Sequence, residues 1–230
     1  NETKEALERQ TATAEILKVI SQSTTDVQPV IEAIVGSAAK LFPQCNAFVF
    51  MRDGGLVQLR AMEGLTVDDR LREDLGRVYP VPFDPEVSSS ARAMAERRPN
   101  ACTDTEAPDV PEHIRRAGRA ARFRSNIVVP LVREDEGIGS IVLTDTKPGY
   151  ALDGKQLSLL QTFADQAVIA IENVRLYNET KEALERQTAT AEILKVIASS
   201  PDNVQPVFNA IAESAMRLLG GRSATVTQAI

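Results

Sequence analysis

The 230-residue sequence contains no tryptophan, one histidine and two cysteines, and aromatic residues make up only 4% of it. A single histidine, His113, excludes any metal site that needs a pair of histidines. The patterns G-x-S-x-G and G-x-x-x-x-G-K-[ST], which mark nucleophile elbows and phosphate-binding loops, do not occur. We therefore expect no metal site and no catalytic activity in this chain.

Long apolar runs are also missing, and none reaches the 18 or so residues that a membrane-spanning helix needs. The first residues, NETKEALERQ, lack the basic and then apolar plan of a secretory signal, which favours a cytoplasmic location. A net charge of −6 argues against general binding to nucleic acid. Because no methionine begins the sequence, we expect it to be a piece of a longer protein.

The two cysteines, Cys45 and Cys102, have no C-x-x-C spacing and no neighbouring cluster of metal ligands. In a cytosolic protein reduced thiols are the default, so we expect both to be free. A disulfide between them, or a redox role, is the alternative.

What the sequence does contain is a long repeat. The twenty residues NETKEALERQTATAEILKVI begin at Asn1 and recur without change at Asn178, an offset of 177 positions. Similarity continues beyond them, because DVQPVIEAIVGSAAKLF from Asp26 aligns with NVQPVFNAIAESAMRLL from Asn203. A repeat of this length is typical of tandem domains, and it predicts one whole unit followed by the first helices of a second.

Between the two copies the pattern predicts a mixture of helices and strands. Two hairpins are expected, one turning at Asp53-Gly54-Gly55 and the other around Glu134–Gly137. Helices are expected over Val27–Leu41 and in three short stretches, TVDDRLREDLG capped by Thr66, DPEVSSSARAMAERRPN capped by Asp84, and PEHIRRAGRAARF. NACTD is expected to form a short strand.

After about Leu152 the sequence reads as one helix of roughly 45 residues, about 70 Å long at 1.5 Å per residue. Apolar residues fall on one heptad seam, which has Lys181 and Thr188 as polar positions. We predict a parallel homodimer along this seam; the alternative is a helix that folds back onto its own domain. The predicted seam comprises Leu160, Phe163, Ala167, Ala170, Val174, Tyr177, Leu184 and Ala191.

One stretch, EHIRRAGRAARFRS, concentrates positive charge around His113. Its arginines could form a cationic lid over an anionic ligand, or they could balance neighbouring acids on an exposed helix. His113 could also ligate a haem or sense pH. The arginines are Arg115, Arg116, Arg119, Arg122 and Arg124.

The segment FRSNIVVPLVREDEGIGSIVLTDT, followed by FADQAVIAIENVRLYNET, resembles the end of a GAF domain, a small-molecule-sensing module of bacterial signalling proteins. The resemblance implies an α+β fold with a central antiparallel sheet flanked by helices and with long N- and C-terminal connector helices. We expect a connector helix over 1–26, a GAF-like core over 27–152, an exit helix over 153–200 and a truncated second unit over 201–230.

The resemblance also implies a ligand pocket between the sheet and the middle region, about residues 66–124. The candidates for this pocket are Phe50, Cys102, His113, Arg116 and Phe123. An Asn-Lys-X-Phe-Asp-Glu motif of cyclic-nucleotide-binding relatives is missing, and so is the Cys-His pair that attaches bilins. Neither ligand is predicted, and the identity of any cofactor stays open.

The expected function is that of a non-catalytic sensory and relay module, which binds a small molecule and passes a change through a dimeric helix. Its partners would be a second chain and adjacent GAF or output domains, with a kinase or cyclase domain elsewhere in a protein of two-component type. One alternative is a structural spacer with no ligand. Another is a reductase of free methionine sulfoxide that uses Cys45 and Cys102.

Overall fold

A computed structural model describes residues 26–199, 203–219 and 222–227 of the chain. The predicted N-terminal connector helix over residues 1–26 therefore lies almost wholly outside the described residues. The chain divides into two compact units, of which the first ends at Val174 and the second begins at Arg175. Within the described residues no helix is both long and apolar enough to cross a membrane.

The first unit is built on a six-stranded antiparallel sheet. Its strands are β1 (Asn46–Asp53), β2 (Leu56–Glu63), β3 (Val81–Pro82), β4 (Asn100–Cys102), β5 (Ser125–Arg133) and β6 (Glu136–Asp145). Their spatial order is β3-β2-β1-β6-β5-β4. Both predicted hairpins are present, and at the first turn Gly54 has a φ of +54°, which glycine adopts without steric cost.

From residue 26 onward, five helices complete the first unit and lead out of it: α1 (Gln28–Leu41), α2 (Asp69–Val78), α3 (Ser89–Glu96), α4 (Glu112–Ala120) and α5 (Gly154–Ser199). Together with the sheet they confirm the predicted α+β, GAF-like fold class. A further helix, α6 (Gln205–Leu219), follows in the second unit. It begins at Gln205, 177 positions after Gln28 at the start of α1, so the repeat in sequence is also a repeat of this helix.

Two of the predicted helix caps are wrong. The side chain of Asp68, not Thr66, accepts from the Leu71 amide at the start of α2. Ser88, not Asp84, caps α3 by accepting from the Ala91 amide. In each case the first capping residue in the sequence lies in a turn before the helix, as Asp84 does when its side chain accepts from the amide of Glu86.

The sheet separates two hydrophobic clusters because neighbouring residues of a strand point to opposite faces. On one face α1 and α5 pack over a cluster that includes Val49, Leu131 and Leu143. On the other face, called here the α2–α3 face, the helices α2 and α3 pack over Phe48, Phe50 and other residues. Each fully buried aliphatic or aromatic side chain contributes about 1.5–3 kcal/mol, so both clusters are needed to hold the layers together.

The long helix α5 has two environments. In the first unit, Leu160, Phe163, Ala167 and Val174 are at most 5% exposed and belong to the cluster beneath α1. Ala170, another predicted seam residue, is fully buried there as well. These side chains are therefore not available to a second chain, because along this part of α5 the apolar residues are buried against the helix's own domain.

In the second unit, by contrast, Tyr177, Leu184 and Ala191 of the predicted seam are exposed. Here α6 contacts α5. Ala189 and Ser214 are buried in this unit, and Arg217 of α6 forms an ion pair with Glu192 of α5.

Candidate functional site

The α2–α3 face of the sheet carries a row of polar side chains that crosses four strands. Asn46 of β1 pairs with Thr144 of β6, Thr144 with Asn126 of β5, and Asn126 with Cys102 of β4. Directly paired residues of antiparallel strands share one face, so these four side chains, called here the polar row, lie side by side. Asn46, Thr144 and Asn126 are each at most 4% exposed.

Most polar atoms of this row have partners. The Asn46 amide nitrogen donates to the Thr66 hydroxyl at 2.6 Å, and its oxygen accepts from the Thr66 backbone amide at 3.1 Å. The Asn126 side-chain oxygen accepts from the backbone amide of Cys102 at 3.2 Å. Asn46 therefore anchors the segment that leads into α2, and Asn126 holds the edge strand β4.

The hydroxyl of Thr144 is different, because it is buried and has no hydrogen-bond partner. The same is true of Ser140, which precedes Thr144 by four residues on β6 and therefore lies on the same face. An unsatisfied buried hydroxyl costs roughly 1–3 kcal/mol, and native proteins contain few of them. Each of these two oxygens could form a hydrogen bond with a polar group of another molecule.

Between the two hydroxyls the α2–α3 face is apolar and filled. Phe48 and Phe50 stack with ring centroids 6.3 Å apart, and Phe50 meets Tyr79 at 5.0 Å. Leu71 and Leu75 of α2 close over this aromatic group, as does Met94 of α3. Burial raises the pKa of Tyr79 to about 12, so its phenol stays neutral at physiological pH.

Two open clefts flank α2. One, of about 620 Å³, has charged groups of both signs with a few aliphatic ones. The other, of about 450 Å³, lies along β2 and reaches Tyr79 and Pro80. The larger cleft is lined by Asp68, Arg70, Asp74, Leu75, Val78, Arg119, Ala120 and Arg122.

The residues predicted to form the pocket do not converge on one point. Phe50 lies in the apolar cluster, whereas Cys102 lies in the polar row, three strand spacings or about 14 Å away across the sheet. Phe123 is 8% exposed just after α4, and its carbonyl accepts from the hydroxyl of Thr105. Arg116 is exposed on α4, and the side chain of His113 lies outside what the structure describes.

Acidic partners surround the arginine-rich stretch. Arg119 makes a bidentate contact with Glu106 at 2.8 and 2.7 Å, and Arg124 contacts Asp104 at 2.7 Å. The guanidinium of Arg119 accordingly lowers the pKa of Glu106. Arg122 pairs with Asp68 and Arg115 with Glu112, which leaves only Arg116 without an acidic partner among the described residues. This pattern favours the second interpretation, an exposed basic segment that balances its neighbouring acids, over a lid of free cations.

Neither cysteine is activated. Burial raises the pKa of Cys45 to about 11, and burial also raises that of Cys102, so both are thiols at neutral pH. Both are free, as expected. The two are separated by the width of β6 and β5, whereas a disulfide needs Cα atoms within about 7 Å. No cluster of metal-ligating side chains occurs in the described part of the chain.

Sequence reasoning missed the polar row. Asn46, Thr144 and Asn126 stand far apart in sequence among apolar neighbours, and each alone reads as an ordinary strand residue. The alternation of Phe48 and Phe50 along one strand does indicate a shared face, but it does not single out Asn46. The register between β1, β6 and β5 was also needed, and single-sequence patterns do not supply it.

Comparison with known proteins is consistent with this architecture. A family model described as GAF domain matches residues 24–172. A crystal structure of a methyl-accepting chemotaxis protein, residues 122 to 287, is similar at 21% identity with a TM-score of 0.57, over 72% of this chain and 97% of that one. The phycoerythrobilin-bound GAF domain of a cyanobacterial phytochrome is similar at 19% identity and TM-score 0.58, over 73% and 96%.

An enzyme is among the similar structures as well. The free methionine-R-sulfoxide reductase from Neisseria meningitidis, solved with its substrate, is 19% identical with a TM-score of 0.55, over 75% of this chain and 93% of that one. At such identities these structures establish a common fold and no shared activity. The match to the family over residues 24–172 goes further, and the chain belongs to the GAF domain family.

Proposed function

We propose that this chain is a non-catalytic sensory and relay module of a cytoplasmic, multidomain signalling protein. A small molecule binds on the α2–α3 face, and α5, paired with α5 of a second chain, carries the resulting change to the next domain. The observation that carries the proposal is the course of α5, which starts in the core of the domain and continues as one helix to Ser199.

The first half of α5 supports the relay because it is part of the domain's core. Leu160 and Ala167 are completely buried against the sheet and α1. A close-packed core does not deform continuously, so a rearrangement of the sheet or its helices shifts or rotates the helix as a body. Any such movement is transmitted along the rigid backbone of α5.

The second half supports a partner because it exposes apolar side chains. Leu184 is 62% exposed and Leu194 is 59% exposed, and a row of such side chains along a helix forms an apolar surface of the kind that marks an interaction site. Several exposed residues repeat at multiples of seven: Ile169, Leu176 and Ile197 in one column, Tyr177, Leu184 and Ala191 in another. The proposed dimer contact therefore uses Tyr177, Leu184 and Ala191 of the predicted seam together with this neighbouring column, and not the buried residues before Val174.

Ligand binding is supported by the unpartnered hydroxyls of Thr144 and Ser140. The groups around them are amides, hydroxyls and aromatic rings, without a charged side chain in the polar row. Such a site favours a neutral molecule with hydrogen-bonding groups at its ends and an apolar or aromatic body, because a charge would lose its hydration without a counter-ion. To enter, the molecule displaces side chains of α2 and α3 that now fill the face.

One observation favours a second candidate function, a spacer without ligand. The α2–α3 face is closed by Leu71, Leu75 and Met94, as it would be in a domain that serves only dimerisation and helix continuity. The reductase alternative has no comparable support, because the two thiols are separated and their pKa values are raised.

Native mass spectrometry of the purified protein, with an absorption spectrum, tests the proposal. We expect a species of twice 25.0 kDa that carries additional mass from a bound small molecule. A dimer without additional mass, in extracts and after incubation with metabolite mixtures, would favour the spacer. A monomer at micromolar concentration would contradict the relay.

A further inference from the structure

The tip of the β5–β6 hairpin, Arg133–Gly137, is in contact with elements on both faces of the sheet. It is a tight turn, in which Glu134 has a positive φ of 52°.

On the α2–α3 face the tip supports α3. A Cβ atom added at Gly137 would collide with the backbone of Met94, so this helix lies directly on the hairpin and only glycine fits there. At the end of the same helix, the guanidinium of Arg97 donates to the carbonyl of Asp135 at 3.3 Å. A displacement of α3 is therefore transmitted to the hairpin tip.

A second contact joins the tip to the aromatic cluster. Arg52 at the end of β1 lies over the ring of Phe83, with its Cζ atom 4.3 Å from the centroid, and Phe83 packs on the cluster of the α2–α3 face. The same guanidinium forms an ion pair with Glu136 at 3.7 Å. Arg52 thus links Phe83 to the hairpin tip, so that a movement of the ring displaces the guanidinium that contacts Glu136.

On the opposite face the tip is tied to α5 through Arg133. One guanidinium nitrogen of Arg133 contacts Glu136 at 3.0 Å, and another contacts Glu172 of α5 at 3.0 Å. The Glu172 side chain is only 17% exposed. Separation of this pair would break an ion pair at a largely buried carboxylate, which is costly, so α5 and the tip tend to move together.

We propose that this chain of contacts, Phe83–Arg52–Glu136–Arg133–Glu172, couples the α2–α3 face to the exit helix. The inference rests on the proposed relay function and names the residues that perform it. Displacement of Phe83 or α3 by a ligand reorients Arg52 and Glu136. Arg133 follows Glu136 and moves Glu172 and α5 with it. Because binding and helix position are linked, the effect is reciprocal, and a change at Glu172 alters the surroundings of Phe83.

The absence of tryptophan makes this reciprocity measurable. Phe83→Trp introduces the only tryptophan of the chain, and a tryptophan ring retains the contact with Arg52. In this background Glu172→Gln keeps the shape of the side chain and removes its charge. We expect the tryptophan emission of the Phe83→Trp/Glu172→Gln protein to lie at longer wavelength than that of Phe83→Trp alone. The reason is that Arg133 and Arg52 are released and the ring becomes more accessible to water.

Glu179→Gln is the matched control, since Glu179 also pairs with an arginine, Arg175, and lies about two turns further along α5 than Glu172. It is expected to leave the emission unchanged. Arg133→Met should reproduce the shift of Glu172→Gln, and the double variant should show no larger shift than either alone, as expected for residues that act through one contact.

Equal emission for Glu172→Gln and Glu179→Gln, with circular dichroism unchanged, would overturn the coupling. If Phe83→Trp does not fold, hydrogen exchange of the peptide around Phe83 in the two single variants gives the same comparison. The outcome is separable from that of the proposed function. A monomer that shows the shift retains the coupling without the dimeric relay, whereas a dimer without the shift retains the relay and loses this route.

Discussion

At the scale of single residues, the decisive feature is the contrast between satisfied and unsatisfied groups on one face of the sheet. Asn46 uses both ends of its amide to hold Thr66, whereas its cross-strand neighbour Thr144 has a buried hydroxyl without a partner. A hydroxyl in that position destabilises the empty domain, and in the proposed complex it would gain a partner. On that proposal the same residue influences folding and ligand binding in opposite directions.

Thr144→Val tests this contrast, because valine has nearly the shape of threonine and lacks the hydroxyl. We expect the free energy of unfolding of the ligand-free protein to rise by about 1 kcal/mol, since an unpartnered polar group is removed. Chemical denaturation of the two proteins measures the difference.

Thr66→Val is the control, since the hydroxyl removed there accepts a hydrogen bond from Asn46 at 2.6 Å. It should lower the stability by about 1 kcal/mol. A Thr144→Val protein that is less stable in the ligand-free state would mean that the hydroxyl already has a partner, and the binding argument would lose its basis.

At the scale of elements, the amino-acid pattern predicted the hairpins and helices well because each depends on local signals. Asp53-Gly54-Gly55 between two apolar runs is enough to place a hairpin turn, and the apolar spacing of Val30, Ile31 and Ile34 is enough to place α1. The short strand β3 was missed because two residues, Val81 and Pro82, carry no periodicity. The caps at Thr66 and Asp84 failed because several residues in a row could have capped each helix.

The environment of α5 could not be read from its pattern either. Leu160, Phe163, Ala167 and Val174 have the spacing of a coiled-coil seam, but over three or four turns this spacing also fits a helix that packs on a sheet. The sequence predicts that α5 has a row of apolar residues along one side, but only the tertiary structure shows what packs against that row. The first half of α5 packs against its own domain, and for the second half a partner helix is proposed.

Two substitutions in α5 separate these roles. Leu184→Lys places a charge on the exposed half, and we expect the mass in solution to fall from twice 25.0 kDa to 25.0 kDa with the thermal stability of the sheet domain nearly unchanged. Phe163→Ala removes a ring that is 5% exposed in the core, and we expect a loss of about 3–5 kcal/mol of stability. Light scattering and calorimetry of both variants check the pair of outcomes. Loss of stability without loss of the dimer in Leu184→Lys would contradict the assignment.

At the scale of the whole molecule, the repeat sets the length of each unit in the proposed array of domains. Gln28–Leu41 and Gln205–Leu219 are the same helix in successive units, and the twenty identical residues precede each of them. In the proposed array, a connector that leaves one domain and enters the next has to fit both, which accounts for the identity of its two copies. On this account each unit passes a movement of its exit helix to the first helix of its successor.

The pairing of α5 with α5 of a second chain is the central claim, and a distance measurement tests it most directly. A spin label on Leu184→Cys in a Cys102→Ser background gives one label per chain at an exposed site, because the remaining thiol, Cys45, is buried. Pulsed electron spectroscopy should then detect a single short distance, because parallel helices in register bring the two labels together across helix axes about 8–10 Å apart. A distribution without any short distance, in a protein that keeps its native circular dichroism, would contradict the account.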